Sequence, residues 1–436
     1  MTKVFFQTLG CKVNWYETEA MQKLFTAAGY EITDDISAAS VVVINTCTVT
    51  AVSSQKSRQI IRRAAGANKN AVMVVVGCYA QSEPEKISAI DGVDVIIGTK
   101  DRARIVEFVE TALNNRDEKI LRVGKVEDIT AFEELPHAPH RTRAFLKIED
   151  GCNNFCSYCI IPYVRGRVRS RSLESIRTEC LALKAAGYKE IVLTGIHIGA
   201  YGRDFKNKIN LVDAVKTVLE SANPMRLRLG SIESAEMTDD LIALIRDDDR
   251  ICKHVHLPLQ SGSDKVLRDM HRPYTTKNFS DLTARLVNEI PEISIGTDLI
   301  VGFPDESDDD FAETVEFIRA QPFSKIHVFP YSMRAGTVAA SMPNQISPQI
   351  KKSRANIALE VSRAKAEEFS TRLIGKTVDI IAETSQDGFV DGLTGNYVRV
   401  YVPDENITLG EIISVDVKNL RRDGVTGAAK IISEGF

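Results

Sequence analysis

The run Gly151-Cys152-Asn153-Asn154-Phe155-Cys156-Ser157-Tyr158-Cys159 places three cysteines at the spacing C-x3-C-x2-C. It offers three thiolates on one short stretch and no fourth. A [4Fe–4S] cubane held this way keeps one iron without a protein ligand, free to bind something else. Ferredoxin runs that only carry electrons close every iron with cysteine. Structural zinc usually takes four ligands from C-x2-4-C pairs. The spacing therefore points to a reactive cluster. The same positions would share one face of a helix, but Gly151, Asn153 and Asn154 are poor helix formers and favour a loop.

Three further cysteines share a different context. Val4-Phe5-Phe6 leads to Cys11, Val41-Val42-Val43-Ile44 leads to Cys47, and Val72-Met73-Val74-Val75-Val76 leads to Cys78. Continuous Val/Ile runs read as strands buried on both faces, the mark of a parallel sheet. Ligands of open α/β sheets sit outside the carboxyl ends of the strands. Three thiols just past three strand ends are thus expected to meet at one rim, as a metal or cluster site with one open position. Cys180 lies within a helical run and Cys252 is isolated near His254 and His256, so both read as core residues.

These residues need elements to position them. The chain has 436 residues and a net charge of −4, enough length for two or three domains and too little positive charge for blanket nucleic-acid affinity. Residues 1–125 read as an α/β domain with helices near 16–28 and 53–65. The polar stretch Glu133 to His140 reads as a linker. Over 141–370, strand candidates at 144–148, 190–194, 226–230, 254–258, 293–300 and 326–330 alternate with helices, a partial or full (β/α) barrel. After the helical stretch 350–373, residues 371–436 alternate in short strands broken by glycines, a small antiparallel β-barrel. No secretory leader and no apolar run long enough for a membrane helix is expected. The eight cysteines then suit metal binding in a cytoplasmic enzyme better than disulfides.

The cysteine loop resembles the signature of the radical S-adenosylmethionine (SAM) enzymes. That resemblance implies SAM chelated on the open iron and cleaved by an electron to a 5′-deoxyadenosyl radical. Tyr158, ahead of the third cysteine, is then expected near the adenine. Barrel loops match the positions that hold SAM: Gly195 and His197 after the second strand, Ser231 and Glu233 after the third, Gln260 after the fourth and Asp298 after the fifth. Gly195 is expected to let the backbone approach the methionyl amino group, and a carboxylate at 233 to accept from ribose.

The whole chain resembles the methylthiotransferases, which join a three-cysteine domain, a radical SAM barrel and a C-terminal TRAM barrel that binds RNA. Thr8-Leu9-Gly10-Cys11-Lys12-Val13-Asn14, the stretch Asp150 to Cys156, and Thr194 to Gly202 look most like the branch acting on threonylcarbamoyladenosine in tRNA. The resemblance implies two [4Fe–4S] clusters, one on Cys152, Cys156 and Cys159 for radical formation and one on Cys11, Cys47 and Cys78 for sulfur donation. It further implies SAM, the anticodon stem-loop of tRNA, an electron donor and a sulfur source as partners. Alternatives are isopentenyladenosine in tRNA, a ribosomal-protein side chain, or a non-catalytic iron–sulfur scaffold.

RNA contacts would have to be local basic patches. Candidates are Lys56, Arg58, Arg62 and Arg63 after Cys47, and Arg165 and Arg167 in the alternating series that continues to Arg169 and Arg171. Arg399, Lys418, Arg421 and Arg422 are candidates in the last unit. That unit carries ten Asp/Glu against seven Lys/Arg over residues 372–436, which argues against strong RNA affinity on its own.

Overall fold

The computed structural model describes residues 2–430; the last six residues of the expected third unit lie outside them. The first sheet holds β1 (Lys3–Thr8), β2 (Glu31–Thr33), β3 (Val41–Thr46), β4 (Val72–Gly77), β5 (Val95–Ile97) and β6 (Ile120–Arg122). Their order is β2-β1-β3-β4-β5-β6, with every pairing parallel. β3 and β4 are buried along their whole length because helices cover both faces and give two separate apolar cores. This strand order reverses direction between β1 and β3, the crevice where doubly wound sheets place ligands. Cys11 and Cys47 follow those two strands.

The second unit builds a wall of β7 (Ala144–Lys147), β10 (Glu190–Thr194), β11 (Arg226–Arg228), β12 (His254–His256), β13 (Ser294–Val301) and β14 (Phe323–Pro330). Within it β11-β10-β7 and β12-β13-β14 form parallel sheets. Parallel bridges Leu227–Ile251 and Ser231–His256 join the two. Among the described residues β14 does not pair back to β7, so the (β/α) barrel is open on one side. Between β7 and β10 a small antiparallel ribbon, β8 (Glu149–Asp150) with β9 (Arg169–Ser170), clamps the base of the cysteine loop.

The helix Pro348–Thr371 leads into a closed five-strand barrel. Its strands are β15 (Thr377–Gln386), β16 (Phe389–Thr394), β17 (Arg399–Pro403), β18 (Ile412–Arg421) and β19 (Gly424–Ala429). Closure removes the sheet edges; only β17 and β19 pair parallel. Arg228 of β11 donates to the carbonyls of Thr394 and Gly395 at 3.0 and 2.9 Å, and Tyr397 stacks on His254 at 4.5 Å. These contacts seat the small barrel on the large one.

The stretch read as a linker is a fixed strap. The His137 side chain is fully buried, stacks on Tyr16 at 4.1 Å and bridges Glu19 and Glu179 at 3.0 and 2.8 Å. Burial opposes a charge on its ring, but the two carboxylates raise its pKa. Among the described residues no helix is long and apolar enough to cross a membrane.

Candidate active site

Cys152, Cys156 and Cys159 lie on the loop that leaves the β8–β9 ribbon. Gly151 opens it with φ +90°, and an added Cβ would stand 2.0 Å from the Arg167 carbonyl oxygen, so no other residue fits without moving the loop. The Cys152 amide donates to the Gly166 carbonyl at 3.0 Å, and the Asn153 side chain accepts from the Val168 amide at 3.2 Å. Ser157 ties the far side to the Asp269 and Met270 carbonyls. The loop is held by its own backbone and by polar side chains, and none of its three cysteines is in a disulfide.

Nitrogen donors converge on those sulfurs. Arg272 donates to Cys156 Sγ at 3.3 Å and pairs with Glu233. The Asn154 amide donates to Cys152 Sγ at 3.5 Å. His197 Nδ1 stands 3.6 Å from the same sulfur while its Nε2 meets Glu236 at 2.9 Å. Burial opposes charge on His197, but Cys152 and Glu236 on either side hold its pKa up to about 10. Burial pushes the Cys159 thiol up to about 12, and the neighbouring Cys156 and Cys152 add to the shift. Among the described residues no three His, Cys, Asp or Glu side chains converge tightly enough to chelate one metal ion. N–H donors aimed at Cys152 and Cys156 are the kind of contact that cluster sulfurs accept.

The second trio sits where the first sheet reverses order. Cys11 caps the helix Lys12–Ala27 and is exposed, whereas Cys47 and Cys78 are buried. Gly10 has φ +107°, and its added Cβ would lie 2.8 Å from Cys47 Cβ, so the loops after β1 and β3 touch. Asn14 ties them, donating to the Leu9 and Thr46 carbonyls at 2.7 and 3.0 Å. Thr46 Oγ1 donates to the Val76 carbonyl at 2.7 Å, which joins the β3 and β4 ends. Burial raises the Cys78 thiol to about 12; Arg165 opposes the shift, and Cys47 and Cys11 reinforce it.

One guanidinium connects the two trios. Arg165 is 0 % exposed. Its Nε donates to Cys78 Sγ at 3.1 Å, and Nη2 donates to Asn14 Oδ1 at 3.0 Å. Nη1 reaches Glu17 at 2.8 Å and Asp150 at 3.1 Å. Asn14 stands three residues after Cys11, and Asp150 two before Cys152. Arg102 and Lys147 join the same buried carboxylates. Cys78 also packs with Ile160 and Val164, directly beyond Cys159.

Arg165 is therefore no RNA contact, and Arg169 and Arg171 are equally buried, Arg171 against Glu179. Arg167 remains exposed above the Phe155 ring. Lys56, Arg62 and Arg63 are exposed on the helix Ala51–Ala67, whereas Arg58 is half-buried and donates to Tyr79 Oη at 2.9 Å. In the small barrel Lys418, Arg421 and Arg422 are exposed, Arg421 lies 3.8 Å over Tyr401, and Arg399 is paired with Asp391.

The expected SAM-loop residues divide. Tyr158 packs beside the loop with Phe303 and Tyr331, and burial raises its hydroxyl pKa. Ser231 is exposed. Gln260 adopts φ +69° and bridges to Leu299. Asp298 meets His256 Nε2 at 3.1 Å. Glu233 is engaged by Arg272, a residue that sequence reasoning missed. At Gly195 an added Cβ would lie 2.8 Å from Ile198 Cγ2 and 2.9 Å from Glu149 Oε2, so the glycine also makes room for neighbouring protein side chains.

Glu149, also missed, is fully buried. Its Oε2 accepts from the His197 amide at 2.6 Å, and Oε1 has no partner. Burial, followed by the neighbouring Asp150, pushes its pKa from 4.5 up to about 8. Stability from keeping this proton is fully present below the unfolded value and lost as pH rises through about 8. Glu149→Gln should therefore gain a few kcal/mol over the wild type as pH climbs across that window. Urea unfolding of the iron-free proteins across it checks this; parallel pH curves would contradict it.

Residues 3–98 match the uncharacterized protein family UPF0004, and residues 146–318 match the Radical SAM superfamily. The threonylcarbamoyladenosine tRNA methylthiotransferase MtaB of Bacillus subtilis strain 168 is 43% identical over 96% of this chain and 94% of its own. The like-named protein of Aquifex aeolicus is 38% identical over 91% and 96%. The tRNA-2-methylthio-N(6)-dimethylallyladenosine synthase of Thermoanaerobacter pseudethanolicus is 34% identical over 94% and 89%. Among solved structures, the radical SAM methyltransferase TsrM of Kitasatospora setae shares the fold, with a TM-score of 0.59 at 15% identity over 78% of this chain and 77% of that one. Radical SAM membership implies a [4Fe–4S] cluster and SAM. The chain belongs to the radical SAM methylthiotransferase family and resembles its threonylcarbamoyladenosine tRNA branch.

Proposed function

We propose that this protein methylthiolates carbon 2 of N6-threonylcarbamoyladenosine beside the anticodon of tRNA. The observation that carries the reading is Arg165, whose one side chain touches Cys78 and the residues flanking Cys11 and Cys152. A reaction that needs hydrogen abstraction and sulfur insertion at one carbon needs both trios at one cavity. Cys152, Cys156 and Cys159 would hold the radical cluster with SAM, and Cys11, Cys47 and Cys78 a second cluster. When bound, these groups supply radical hydrogen abstraction at an unactivated C–H bond and the sulfur that replaces the hydrogen.

The chain's own residues do the rest. Arg272 and His197 supply N–H donors to the radical-site sulfurs, which tunes and orients such a site. Tyr158 and the loop residues Gly195, Ser231, Gln260 and Asp298 form the surroundings in which SAM is to be oriented. Arg165 fixes the two loops against each other, and the Val/Ile-rich sheet beneath Cys47 and Cys78 keeps water from the buried side. Lys56 and Arg167 present exposed cations on the segments that follow Cys47 and Cys159, and Arg62 and Arg63 continue the exposed basic face toward the far end of the helix Ala51–Ala67, all available to the RNA backbone. We assign sulfur donation to residues 1–125, radical chemistry to 141–370 and a TRAM-like RNA contact to 371–436. An external electron donor, a sulfur source and a cytoplasmic setting with tRNA follow from this chemistry.

The test is nucleoside mass spectrometry of tRNA from cells lacking methylthio modifications. The tRNA is incubated anaerobically with reconstituted protein, SAM, sulfide and a reductant. A methylthio mass on threonylcarbamoyladenosine is expected. The same mass on dimethylallyladenosine, or SAM cleavage with unmodified tRNA, would overturn the substrate.

A further inference from the structure

The open side of the large barrel ends in a strand edge. Among the described residues β14 pairs with β13 alone, which leaves its other edge to be covered. The helix Pro348–Thr371 meets that edge at Ile326. Ser362 Oγ accepts from the Ile326 amide at 3.2 Å and donates to its carbonyl at 2.7 Å.

Side chains alternate along the strand. Ile326 turns into the core with Ala355, Ala358 and Val361 of the helix. Lys325, His327 and Phe329 turn the other way and are exposed, with the His327 ring 5.6 Å from that of His256. A cleft of about 370 Å³ runs along this edge, bounded by those three side chains and by Leu359, Ser362 and Arg363 of the helix. A space of that size takes one small ligand.

Its charges are uncommitted. Among the described residues the helix forms ion pairs through Arg354, Lys365 and Arg372 and none through Arg363; Lys325 is likewise unpaired. No carboxylate lines the cleft. Phe329 is 44% exposed, so its ring is open to a ligand. The strand then runs on to the second trio. Ser332 accepts from the Ala51 amide at 2.8 Å, and Arg334 donates to Thr48 Oγ1 at 2.5 Å, both on the segment that follows Cys47. Phe329 is three residues before Ser332, a span of at most about 11 Å. The ring therefore stands within the reach of one or two nucleotides of that segment.

An open ring beside unpaired cations is complementary to a nucleotide. The ring offers a stacking face to a base, and the cations offer contacts to its phosphates. An acidic peptide would use the cations alone. Resting on the function proposed above, we infer that this cleft holds a nucleotide flanking the modified adenosine, its base on Phe329 and its phosphates on Lys325 and Arg363. The contact is a positioning one. It draws the single-stranded loop across the open barrel, so that the neighbouring base is presented to the trios.

The test uses iron-loaded full-length protein and a labelled anticodon stem-loop carrying threonylcarbamoyladenosine, with affinity read by fluorescence anisotropy at several salt concentrations. Lys325→Gln with Arg363→Gln should weaken binding at least about tenfold. It should also flatten the log–log salt slope by about 1.4, the loss of two single-strand phosphate contacts. Phe329→Ala should weaken binding about tenfold at an unchanged slope, and Phe329→Trp should retain it. Iron content and the thermal unfolding midpoint check that each variant is folded; should Phe329→Ala lose iron, the Lys325/Arg363 variant decides. Lys184→Gln with Lys216→Gln removes equal charge from the helices Leu173–Ala185 and Leu211–Ala222 and should change binding less than about twofold. Equal losses in the two double variants would mean diffuse attraction and overturn the inference, as would wild-type affinity in either cleft variant while the wild type modifies the RNA. A wild type that methylthiolates a protein instead of this RNA overturns the function and the inference together.

Discussion

Arg165→Met is expected to destabilise the protein by about 3–5 kcal/mol, the cost of removing one partner from a buried charge network. The side chain is fully buried and neutralises Glu17 and Asp150 while donating to Cys78 and Asn14. Burial alone would raise the pKa of Glu17, but Arg102, Arg165 and Lys147 hold it well below the usual carboxylate range. Arg102 and Lys147 remain in the variant, yet neither donates to Cys78 or Asn14. Lysine at 165 should not rescue it, because one ammonium cannot replace a planar fork reaching four partners. Urea unfolding of the anaerobic apoprotein measures the loss. A change under about 1 kcal/mol, typical of exposed pairs, would show that the network tolerates the missing guanidinium.

The two cysteine trios should separate into two activities. Cys152→Ala is expected to abolish reductive SAM cleavage, since two thiolates cannot hold the cluster that a three-thiolate loop is built for. Cys47→Ala should leave SAM cleavage measurable while methylthiolation of tRNA falls to background. The expectation rests on position: Cys47 follows β3 of the first sheet, and the cysteine loop hangs from β7 and β8 of the open barrel. Parallel assays of 5′-deoxyadenosine release and nucleoside mass check the split. Loss of both activities in Cys47→Ala would mean that the Arg165 network makes the two sites one structural unit.

Much of this organisation is legible in the chain. Continuous Val/Ile runs locate β1, β3 and β4, and the six barrel strands fall close to their expected positions, because strands buried on both faces leave little freedom of composition. The cysteines stand out in the chain because few residue types bind iron, and the fold places Cys11, Cys47 and Cys78 just past the ends of β1, β3 and β4 as their sequence context suggests. Arg165 was not, since its partners Cys78 and Asn14 lie 87 and 151 residues away. Its alternation with Arg167, Arg169 and Arg171 imitates a solvated basic strand. Gly195 was expected from its position, but the carboxylate it accommodates, Glu149, carries no local signature. The Pro- and His-containing stretch at 133–140 has the composition of a linker; only the tertiary contacts of His137 with Glu19 and Glu179 reveal a strap.

The proposed chemistry requires that each of the two three-thiolate sites hold its own cluster. Iron and acid-labile sulfide counts on anaerobically reconstituted wild type, and on variants with either trio changed to alanine, test it most directly. About eight irons are expected in wild type and about four in each triple variant. A wild type that saturates near four irons, or a Cys11/Cys47/Cys78 variant that keeps the wild-type count, would contradict it.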